Sequence, residues 1–556
     1  MSTLLTLHDP ATARALYASG VWRNDTLYGL AAGHAAMRGA APAVRDGYRR
    51  LNWRTLVEWA DAVASRLHAA GLRRGDRVCV WLPNRIELVV VFLACSRNGY
   101  VCNPSLHQNY TVAEIATLLG RIDCRALFMQ PGWGADADQA DIVPAAAGLG
   151  HVQCLFALPP LRAPQAALPG GTLAMPQPGS ADRGTLPPPS DRPDQVTYLA
   201  FTSGTTGTPK GVMHSDNTLL ANGRALAADW GQDERTVLLS LSPMSHHIGT
   251  VALEQVLVTG GELVMFDPGA GVSALDWIEA TGATYVMGVP THAMDLLQEI
   301  DRRGQQHLSQ VRTFYMAGAP IPTETARRLL ELGATPQNIY GMTENGSHQY
   351  TRPTDSAEVI TSTCGKACHG YEVRLWNAEN PDVEVAPGEV GEIGSRGGLL
   401  MLGYFDNQTA TEKSFNRHGW FLSGDLGRFD ANGNLAIVGR KKDLIIRGGH
   451  NIHPAHIEEY AHRHPAVRKT AAFGVPDERL GEKVCLAVIA QGEAPAADAM
   501  LQHLAREGLS KFDMPEYYVV LPEFPLTPSG KILKRELVQW VRSGRIQPQP
   551  VRYRGA

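Results

Sequence analysis

The chain has 556 residues, which is too long for one ordinary domain, so two or more domains are expected. Hydrophobic residues make up 44% and charged residues 19%, a composition typical of water-soluble globular proteins. The formal charge of -4 gives no long-range attraction toward nucleic acid or an anionic membrane, so neither is a predicted partner. The first residues lack a signal-peptide pattern, and no apolar run is long enough to span a membrane, so a cytoplasmic protein with reduced cysteines is predicted.

Helical patterns and short apolar runs alternate between residues 51 and 120. LNWRTLVEWADAVASRLHAAGL and ELVVVFLACSRNG are predicted helices, and RVCVWLP between them is a predicted buried strand. This alternation favours an α/β fold with a parallel sheet. Residues 156 to 195 are rich in Pro, Gly and Ala, so a connector over the surface is predicted there.

Six further apolar runs end in Gly, Pro or polar residues: VTYLAFTSG, TVLLSLSP, GELVMFD, ATYVMGVP, TFYMAGAP and NIYGMTE. Such ends indicate strands of an open α/β sheet, where ligands usually bind. From about residue 370 the runs become shorter and β-like, and after Asp443 a compact α+β pattern begins.

A loop of glycine and hydroxyl residues, Thr202-Ser-Gly-Thr-Thr-Gly-Thr-Pro-Lys-Gly211, follows the run VTYLAF. Glycines let backbone N–H groups turn toward an anion, hydroxyls can donate to phosphate oxygens, and Lys210 adds a positive charge. The spacing differs from that of a Walker loop. A polyphosphate site is predicted, with a flexible Gly/Thr turn as the alternative for the segment alone.

FTSGTTGTPKG resembles the phosphate loop of the acyl-adenylate-forming superfamily, which includes acyl-CoA synthetases, nonribosomal adenylation domains and luciferases. Other motifs of that family follow in its order, ending at Pro525-Leu-Thr-Pro-Ser-Gly-Lys531. The resemblance implies a large N-terminal α/β domain with parallel-type sheets and a small β-barrel-like part, residues 1–441. It also implies a small mobile C-terminal α+β domain, residues 442–556, with its hinge at Lys442.

The same resemblance assigns roles at the nucleotide site. Tyr340 would stack on the adenine, Thr343 would contact the α-phosphate, and Glu344 would hold Mg²⁺, which prefers oxygen ligands. Asp425 would accept hydrogen bonds from the ribose hydroxyls beside Arg440. The implied ATP-binding residues are Thr202, Ser203, Gly204, Thr205, Thr206, Gly207, Lys210, Gly318, Ala319, Pro320, Tyr340, Gly341, Asp425 and Arg440.

Lys531 resembles the lysine that bridges the substrate carboxylate and the α-phosphate, where a fixed ammonium can stabilise developing charge. Together with Thr343, Glu344 and His246 it makes up the implied catalytic set. Gly448 and Gly449 fall in the loop that lines the family's pantetheine tunnel, where missing side chains leave room for the thiol arm.

The segment Pro243-Met-Ser-His-His-Ile-Gly249 has no carboxylate at the place where amino-acid-activating relatives anchor an α-amine. An α-amino acid substrate is therefore disfavoured. His246 matches the family's gate position, and a buried structural histidine is the alternative for His247. The predicted acid-pocket residues are His246, His247, Ile248, Val251, Val289 and Met342.

Tail segments such as KFDMPEY look like stand-alone cyclohexanecarboxylate-type CoA ligases, with aryl-acid activators close behind. The resemblance implies an ATP-dependent and Mg²⁺-dependent ligase that joins a cyclic, aryl or medium-chain acid to coenzyme A through an acyl-AMP. One alternative is an adenylating enzyme that loads the pantetheine of a separate carrier protein, although no carrier domain follows Lys531. An inactive nucleotide-binding regulatory protein is the remote alternative.

Overall fold

The computed structural model describes residues 4–202, 209–319, 321–448, 450–526 and 532–553, with the side chains of residues 270 and 451 excepted. The chain divides into two compact units. The first unit comprises Met1–Glu372 and Arg396–Ser414, and the second comprises Val373–Ser395 and Phe415–Ala556. The second unit thus includes residues before 442. The predicted domain boundary and hinge at Lys442 stay predictions.

Helices of the first unit surround two sheets and also lie between them. They are α1 (Pro10–Ala18), α2 (Leu27–Arg38), α3 (Trp53–Ala69), α4 (Ile86–Asn98), α5 (Val112–Arg121), α6 (Ile142–Ala147), α7 (Asp216–Asp229), α8 (His247–Thr259), α9 (Ala274–Thr281), α10 (Pro290–Arg303), α11 (Thr323–Glu331), α12 (Ala357–Ser362) and α13 (Gln408–Glu412). Those of the second unit are α14 (Pro454–His462), α15 (Ala497–Arg506) and α16 (Lys534–Arg542). Short 3₁₀ turns span Pro268–Ala270 and Lys441–Asp443.

Strands of the two large sheets come first in the chain. They are β1 (Pro42–Arg45), β2 (Arg50–Asn52), β3 (Arg77–Trp81), β4 (Val101–Asn103), β5 (Cys124–Met129), β6 (Cys154–Ala157), β7 (Leu173–Ala174), β8 (Val196–Thr202), β9 (Lys210–Ser215), β10 (Val237–Ser240), β11 (Glu262–Met265), β12 (Tyr285–Gly288), β13 (Thr313–Met316), β14 (Thr335–Met342), β15 (Gly346–Tyr350) and β16 (Lys366–Ala367). The later strands are β17 (Tyr371–Trp376), β18 (Gly391–Gly397), β19 (Phe421–Phe429), β20 (Leu435–Arg440), β21 (Ile445–Arg447), β22 (His450–Ile452), β23 (Val467–Asp477), β24 (Gly481–Ala490), β25 (Tyr517–Val520) and β26 (Gln549–Pro550).

Two mostly parallel sheets organise the first unit. One has the order β7-β6-β5-β3-β4-β8-β9, in which only the β8–β9 pair is antiparallel. The other has the order β16-β15-β14-β13-β12-β10-β11-β1-β2, parallel from β14 to β1. The predicted α/β class with parallel-type sheets is confirmed.

A layer of helices packs between these sheets. Helix α4 contacts β3 and β4 of the first sheet, α8 contacts β10, β11 and β12 of the second, and α2 contacts both helices. Every residue of α4 is buried. Burial on all sides explains why its middle part, from Leu88 to Cys95, reads as an unbroken apolar run rather than as an amphipathic stripe. Gly99, with a φ of 71°, ends α4 in the left-handed conformation that favours glycine.

The sequence-based elements in this region agree with the structure, with one correction. The predicted helix, strand and helix between residues 51 and 99 correspond to α3, β3 and α4. Residues 156–195, however, are not only a connector. Their first residues end β6, and Leu173–Ala174 add a parallel edge strand to it. A strand of two residues carries no periodicity, so the pattern could not reveal it.

The second unit contains two sheets. Strands β17-β18-β19-β20 form a four-stranded sheet in the region where the sequence predicts a small β-barrel-like part of the N-terminal domain; its barrel-like character stays a prediction. The other sheet has the order β22-β21-β24-β25-β26, with β23 also paired to β24. Helices α14 and α16 pack on β23, which gives the predicted α+β arrangement.

All eight cysteines lie in the described ranges and are free thiols, buried except for the half-buried Cys364. Across the described parts of the chain, no helix combines the length and apolar character needed to cross a membrane.

Candidate active site

Four of the predicted motif segments emerge from the same edge of the nine-stranded sheet. Strands β14, β13, β12 and β10 are parallel neighbours, so their carboxyl ends meet at one edge. The residues that follow these ends are His246 after β10, Val289 after β12, Gly318 and Ala319 after β13, and Thr343 and Glu344 after β14. The predicted nucleotide and acid residues of the first unit are therefore grouped by the topology.

The phosphate-loop segment is carried by a β-hairpin of the other sheet. Thr202 at the end of β8 and Lys210 at the start of β9 are register partners, and both are half-buried. Several predicted residues lie outside the described ranges: Ser203, Gly204, Thr205, Thr206, Gly207, Pro320, Gly449 and Lys531. Their roles stay predictions.

Glu344 is a nearly buried carboxylate, with 8% of the residue exposed. Tyr404 Oη donates a hydrogen bond to Glu344 Oε1 over 2.9 Å. Burial, together with the Glu344 charge and hydrogen bond, raises the pKa of the Tyr404 hydroxyl far above its ordinary value. Tyr404 therefore remains a hydrogen-bond donor to this carboxylate at any physiological pH.

Lys210 contacts the aromatic ring of Tyr404. Its Nζ is 4.5 Å from the centroid of the Tyr404 ring, a cation–π contact. Tyr404 also forms an isolated antiparallel bridge with Val212 of β9. Tyr404 thus links the predicted phosphate-binding lysine to the predicted metal-binding carboxylate, and sequence reasoning missed it. Its partner Glu344 lies 60 residues away in the chain, so no local pattern could have identified it.

A tight turn shapes the segment around Tyr340. A Cβ added at Gly341 would lie 1.9 Å from the carbonyl oxygen of Gly346, so only glycine fits there. The Tyr340 ring is buried and meets His348 edge-on, with 5.5 Å between ring centroids. Burial lowers the pKa of His348 to about 4, so this neighbour is neutral at pH 7.

Thr343 is held through its backbone by a second residue that sequence reasoning missed. His214 Nε2 donates to the carbonyl oxygen of Thr343 over 2.7 Å, and His214 Nδ1 lies 3.0 Å from Thr218 Oγ1. Burial lowers the pKa of His214 to about 4, although the Thr343 bond opposes the shift. His214 is consequently neutral, and its hydrogen bond connects β9 to the turn that contains Thr343.

His214 also stacks on His247, the predicted acid-pocket histidine at the start of α8. The ring centroids are 5.6 Å apart and the planes are 16° from parallel. Tyr198 Oη lies 3.2 Å from His247 Nδ1. Burial first, and then the neighbouring histidines, lowers the pKa of His247 well below its ordinary value. His247 is therefore uncharged at neutral pH.

The remaining predicted acid-pocket residues lie on three elements at this edge. His246 is the N-cap of α8, and its Nδ1 accepts a hydrogen bond from Ile248 N over 3.3 Å. Ile248 and Val251 are buried on α8, whereas Val289 and Met342 are half-buried at the start of α10 and the end of β14. Their contact with a substrate stays a prediction.

The predicted ribose residues belong to the second unit. Asp425 and Arg440 are register partners on β19 and β20, and Arg440 Nε lies 3.3 Å from Asp425 Oδ1. Glu392, which sequence reasoning missed, accepts hydrogen bonds from Gly424 N and from Lys441 Nζ. Lys441 therefore contacts a nearly buried carboxylate.

Lys442 and Gly448 flank β21 in the second unit. Lys442 lies in the 3₁₀ turn that follows β20, and its side chain is exposed. Gly448 has a φ of 58°, which favours glycine, and its N–H donates to Leu480 O over 2.7 Å. These positions agree with a turn and an open loop, while the hinge and pantetheine roles stay predictions.

The chemistry around Glu344 fits a magnesium ion shared with a nucleotide. The carboxylate and the Thr343 hydroxyl are oxygen donors, which Mg²⁺ prefers, and Mg²⁺ is usually held by one or two carboxylates plus substrate phosphates. Among the described residues there is no group of three or more histidine, cysteine or acidic side chains suited to a metal. Glu344 would thus share the ion with phosphate oxygens.

Comparison with known proteins identifies the family. Residues 32–405, more than half of the chain, match the family model of the AMP-binding enzymes, and residues 456–531 match the model of the AMP-binding enzyme C-terminal domain. A medium-chain fatty-acid–CoA ligase of Escherichia coli K12 is 29% identical over 85% of this chain and 83% of its own length. The 2-hydroxy-7-methoxy-5-methyl-1-naphthoate–CoA ligase of Streptomyces carzinostaticus is 31% identical over 94% of each chain.

A solved structure agrees in fold. The ATP-bound crystal structure of MatB from Rhodopseudomonas palustris superposes with a TM-score of 0.81, covering 94% of this chain and 100% of its own, at 28% identity. These matches confirm the predicted fold class and the predicted enzyme class, an AMP-forming acid–thiol ligase. The predicted cofactors, ATP with Mg²⁺ and coenzyme A, agree with them. The chain belongs to the AMP-binding enzyme family.

Proposed function

We propose that this enzyme joins a non-amino carboxylic acid to coenzyme A in an ATP-dependent reaction through an acyl-AMP intermediate. The acid would be cyclic, aryl or medium-chain. The CoA ligases among the relatives act, by name, on a medium-chain fatty acid and on a substituted naphthoate, which supports this range.

The proposal of a non-amino acid substrate rests on the absence of negative charge on α8 at neutral pH. His247 at the start of this helix is neutral, because burial lowers its pKa well below the ordinary value. The single acidic residue of α8 is Glu254, and burial raises its pKa to about 8. An α-ammonium group needs a carboxylate partner when it is desolvated. The α8 wall offers an uncharged surface instead, which suits an apolar acyl group.

In the first half-reaction the substrate carboxylate would attack the α-phosphate of ATP and release pyrophosphate. Lys210 would bind the phosphates, Asp425 and Arg440 would bind the ribose, and Lys531 would stabilise the charge on the pentavalent phosphorus. Glu344 would hold Mg²⁺, which neutralises phosphate charge when it is bound.

In the second half-reaction the thiol would attack the carbonyl carbon of the acyl-AMP and release AMP. By resemblance, the C-terminal domain of residues 442–556 would turn at Lys442 between the two steps and bring Gly448 and Gly449 to the thiol arm. The bond between the acyl carbon and the phosphate oxygen breaks as the thioester bond forms.

A carrier-protein pantetheine remains the competing acceptor, because it presents the same thiol arm as coenzyme A. The CoA ligases among the relatives support coenzyme A. The inactive regulatory alternative is disfavoured by the presence of Lys210, Glu344, Asp425, Arg440 and Lys531.

The test is ATP-dependent pyrophosphate release over a panel of alicyclic, aryl, medium-chain and amino acids, each with and without coenzyme A. We expect release with one of the first three classes, an increase on adding coenzyme A, and a thioester product. Pyrophosphate release only with amino acids would contradict the proposal that the substrate is a non-amino acid. Release that is indifferent to coenzyme A but coupled to loading of a holo carrier protein would favour the competing acceptor.

A further inference from the structure

We propose that Tyr404 is a positioning residue for Glu344, holding its carboxylate in the orientation that receives the magnesium ion of MgATP. This inference rests on the proposed function, in which Glu344 holds the ion.

The contact between the two side chains is buried. Tyr404 Oη donates to Glu344 Oε1 over 2.9 Å, and the two residues are 6% and 8% exposed. A hydrogen bond to a carboxylate is roughly twice as strong as one between neutral groups. In a site with little competing water it restricts rotation of the carboxylate about its side chain. Groups that orient a metal ligand in this way control metal affinity without touching the metal.

Tyr404 is itself fixed by the backbone around it. The segment 401–405 is bonded to β9 and to the residue that it positions: Leu402 N donates to Met213 O over 2.8 Å, Phe405 N to Gly211 O over 2.7 Å and Met401 N to Glu344 O over 2.7 Å. The phenol hydroxyl and the carboxylate are thus held by rigid neighbours, so their separation is determined by the fold.

The ring of Tyr404 also contacts Lys210, the residue predicted to bind the phosphates of the same MgATP. Lys210 Nζ lies 4.5 Å from the ring centroid. The lysine predicted to bind phosphate and the carboxylate predicted to hold the metal therefore share one aromatic support. We infer that the hydroxyl serves Glu344 and the ring serves Lys210, which makes the two contributions separable by substitution.

Tyr404→Phe removes the hydroxyl and keeps the ring. We expect the Mg²⁺ concentration that gives half-maximal ATP binding, measured by calorimetry on the full chain, to rise about 10-fold. Saturating Mg²⁺ should restore ATP binding, because the ring still supports Lys210. Thioester formation from supplied acyl-AMP and coenzyme A, which needs no magnesium ion for phosphate transfer, should be unchanged.

The chain offers a closely matched control in Tyr28→Phe. Tyr28 is also 6% exposed, its hydroxyl donates to Asp61 Oδ1 over 2.7 Å, and Arg97 lies over its ring at 5.4 Å. This variant loses a part-buried hydrogen bond from a tyrosine to a carboxylate and should leave the Mg²⁺ dependence of ATP binding as it is in the unmodified protein. Thermal unfolding of both variants checks that they fold.

Glu344→Gln separates failure of the inference from failure of the proposed metal role. If Glu344→Gln raises the Mg²⁺ requirement and Tyr404→Phe does not, the positioning role is wrong while the metal role stands. If neither variant changes it, both are wrong. An equal rise in Tyr28→Phe would reduce the effect to a general loss of stability and overturn the inference. Should Tyr404→Phe not fold, Tyr404→Met takes its place for the Mg²⁺ requirement alone; methionine lacks the ring as well as the hydroxyl, so restoration at saturating Mg²⁺ is then not expected.

Discussion

Glu254 makes the stability of the first unit depend on pH in a direction that can be calculated. Its side chain is buried on α8, and Asn222 Nδ2 donates to Glu254 Oε2 over 2.8 Å. Among the described residues, Glu254 Oε1 has no hydrogen-bond partner. Burial raises the pKa of this carboxyl from 4.5 to about 8, and the Asn222 hydrogen bond opposes the shift. The folded protein therefore keeps Glu254 protonated at pH 7.

The unfolded chain ionises Glu254 near its ordinary pKa of 4.5, whereas the folded chain retains the proton up to about pH 8. Between these values the unfolded state binds fewer protons, so the free energy of unfolding falls as the pH rises and levels off above pH 8. Each pH unit within this window costs up to about 1.4 kcal/mol. From pH 6 to pH 8 the loss amounts to about 2 kcal/mol, since the folded carboxyl begins to ionise near the upper limit.

Glu254→Gln removes the ionisation and keeps an oxygen for Asn222. The free energy of unfolding, measured by urea denaturation with tryptophan fluorescence, should therefore shift in favour of the variant by about 2 kcal/mol between pH 6 and pH 8. Comparing variant and unmodified protein at each pH cancels the titration of distant groups. Glu234→Gln, at an exposed glutamate of the same unit, is the control. A difference that stays constant across this range would refute the reasoning.

Three further substitutions test the site. Lys531→Ala should abolish acid-dependent pyrophosphate release yet spare thioester formation from supplied acyl-AMP, and equal loss of both steps would contradict the proposed role. Asp425→Asn should raise the KM for ATP by about 10-fold with a smaller change in kcat, since ionised acceptors form the stronger hydrogen bonds. An unchanged KM for ATP would show that Asp425 does not bind the ribose. Gly341→Ala should lower the thermal unfolding midpoint by several degrees, because its Cβ would meet the Gly346 carbonyl oxygen at 1.9 Å; an unchanged midpoint would show that the turn can shift.

The motif residues could be found from sequence because their chemistry is local. Few functional roles fit a glycine-rich run after a strand or the acidic residue in YGMTE. The resemblance to one family reduced the number of possible roles further. The strand order then placed Val289 and Thr343 at one edge, as expected for parallel strands. Prediction of the elements that carry the motifs succeeded, because residue type and periodicity were sufficient to find them, whereas the roles of the motif residues stay predictions.

The residues that hold the motif residues could not be found in this way. Tyr404 and Glu344 are 60 residues apart, His214 and Thr343 are 129 apart, and both contacts depend on how β9 packs against its neighbours. A tyrosine after a glycine or a histidine after a strand is common in any chain. Only the three-dimensional structure shows that these side chains reach groups of the predicted site.

The sequence alone could not predict the identity of the acid, for a related physical reason. ATP is recognised through charged and polar groups whose roles follow from their type, whereas the apolar residues predicted to line the acid pocket, Ile248, Val251, Val289 and Met342, would act through shape. One methylene group in an apolar pocket changes selectivity by only about 10-fold to 200-fold. Apolar side chains of similar volume can therefore favour different acids, and the relatives are named for acids as different as a medium-chain fatty acid and a substituted naphthoate. In the proposed acid pocket the neutral His247 would give an α-ammonium group no charged partner, and the packing of its apolar neighbours would select among non-amino acids.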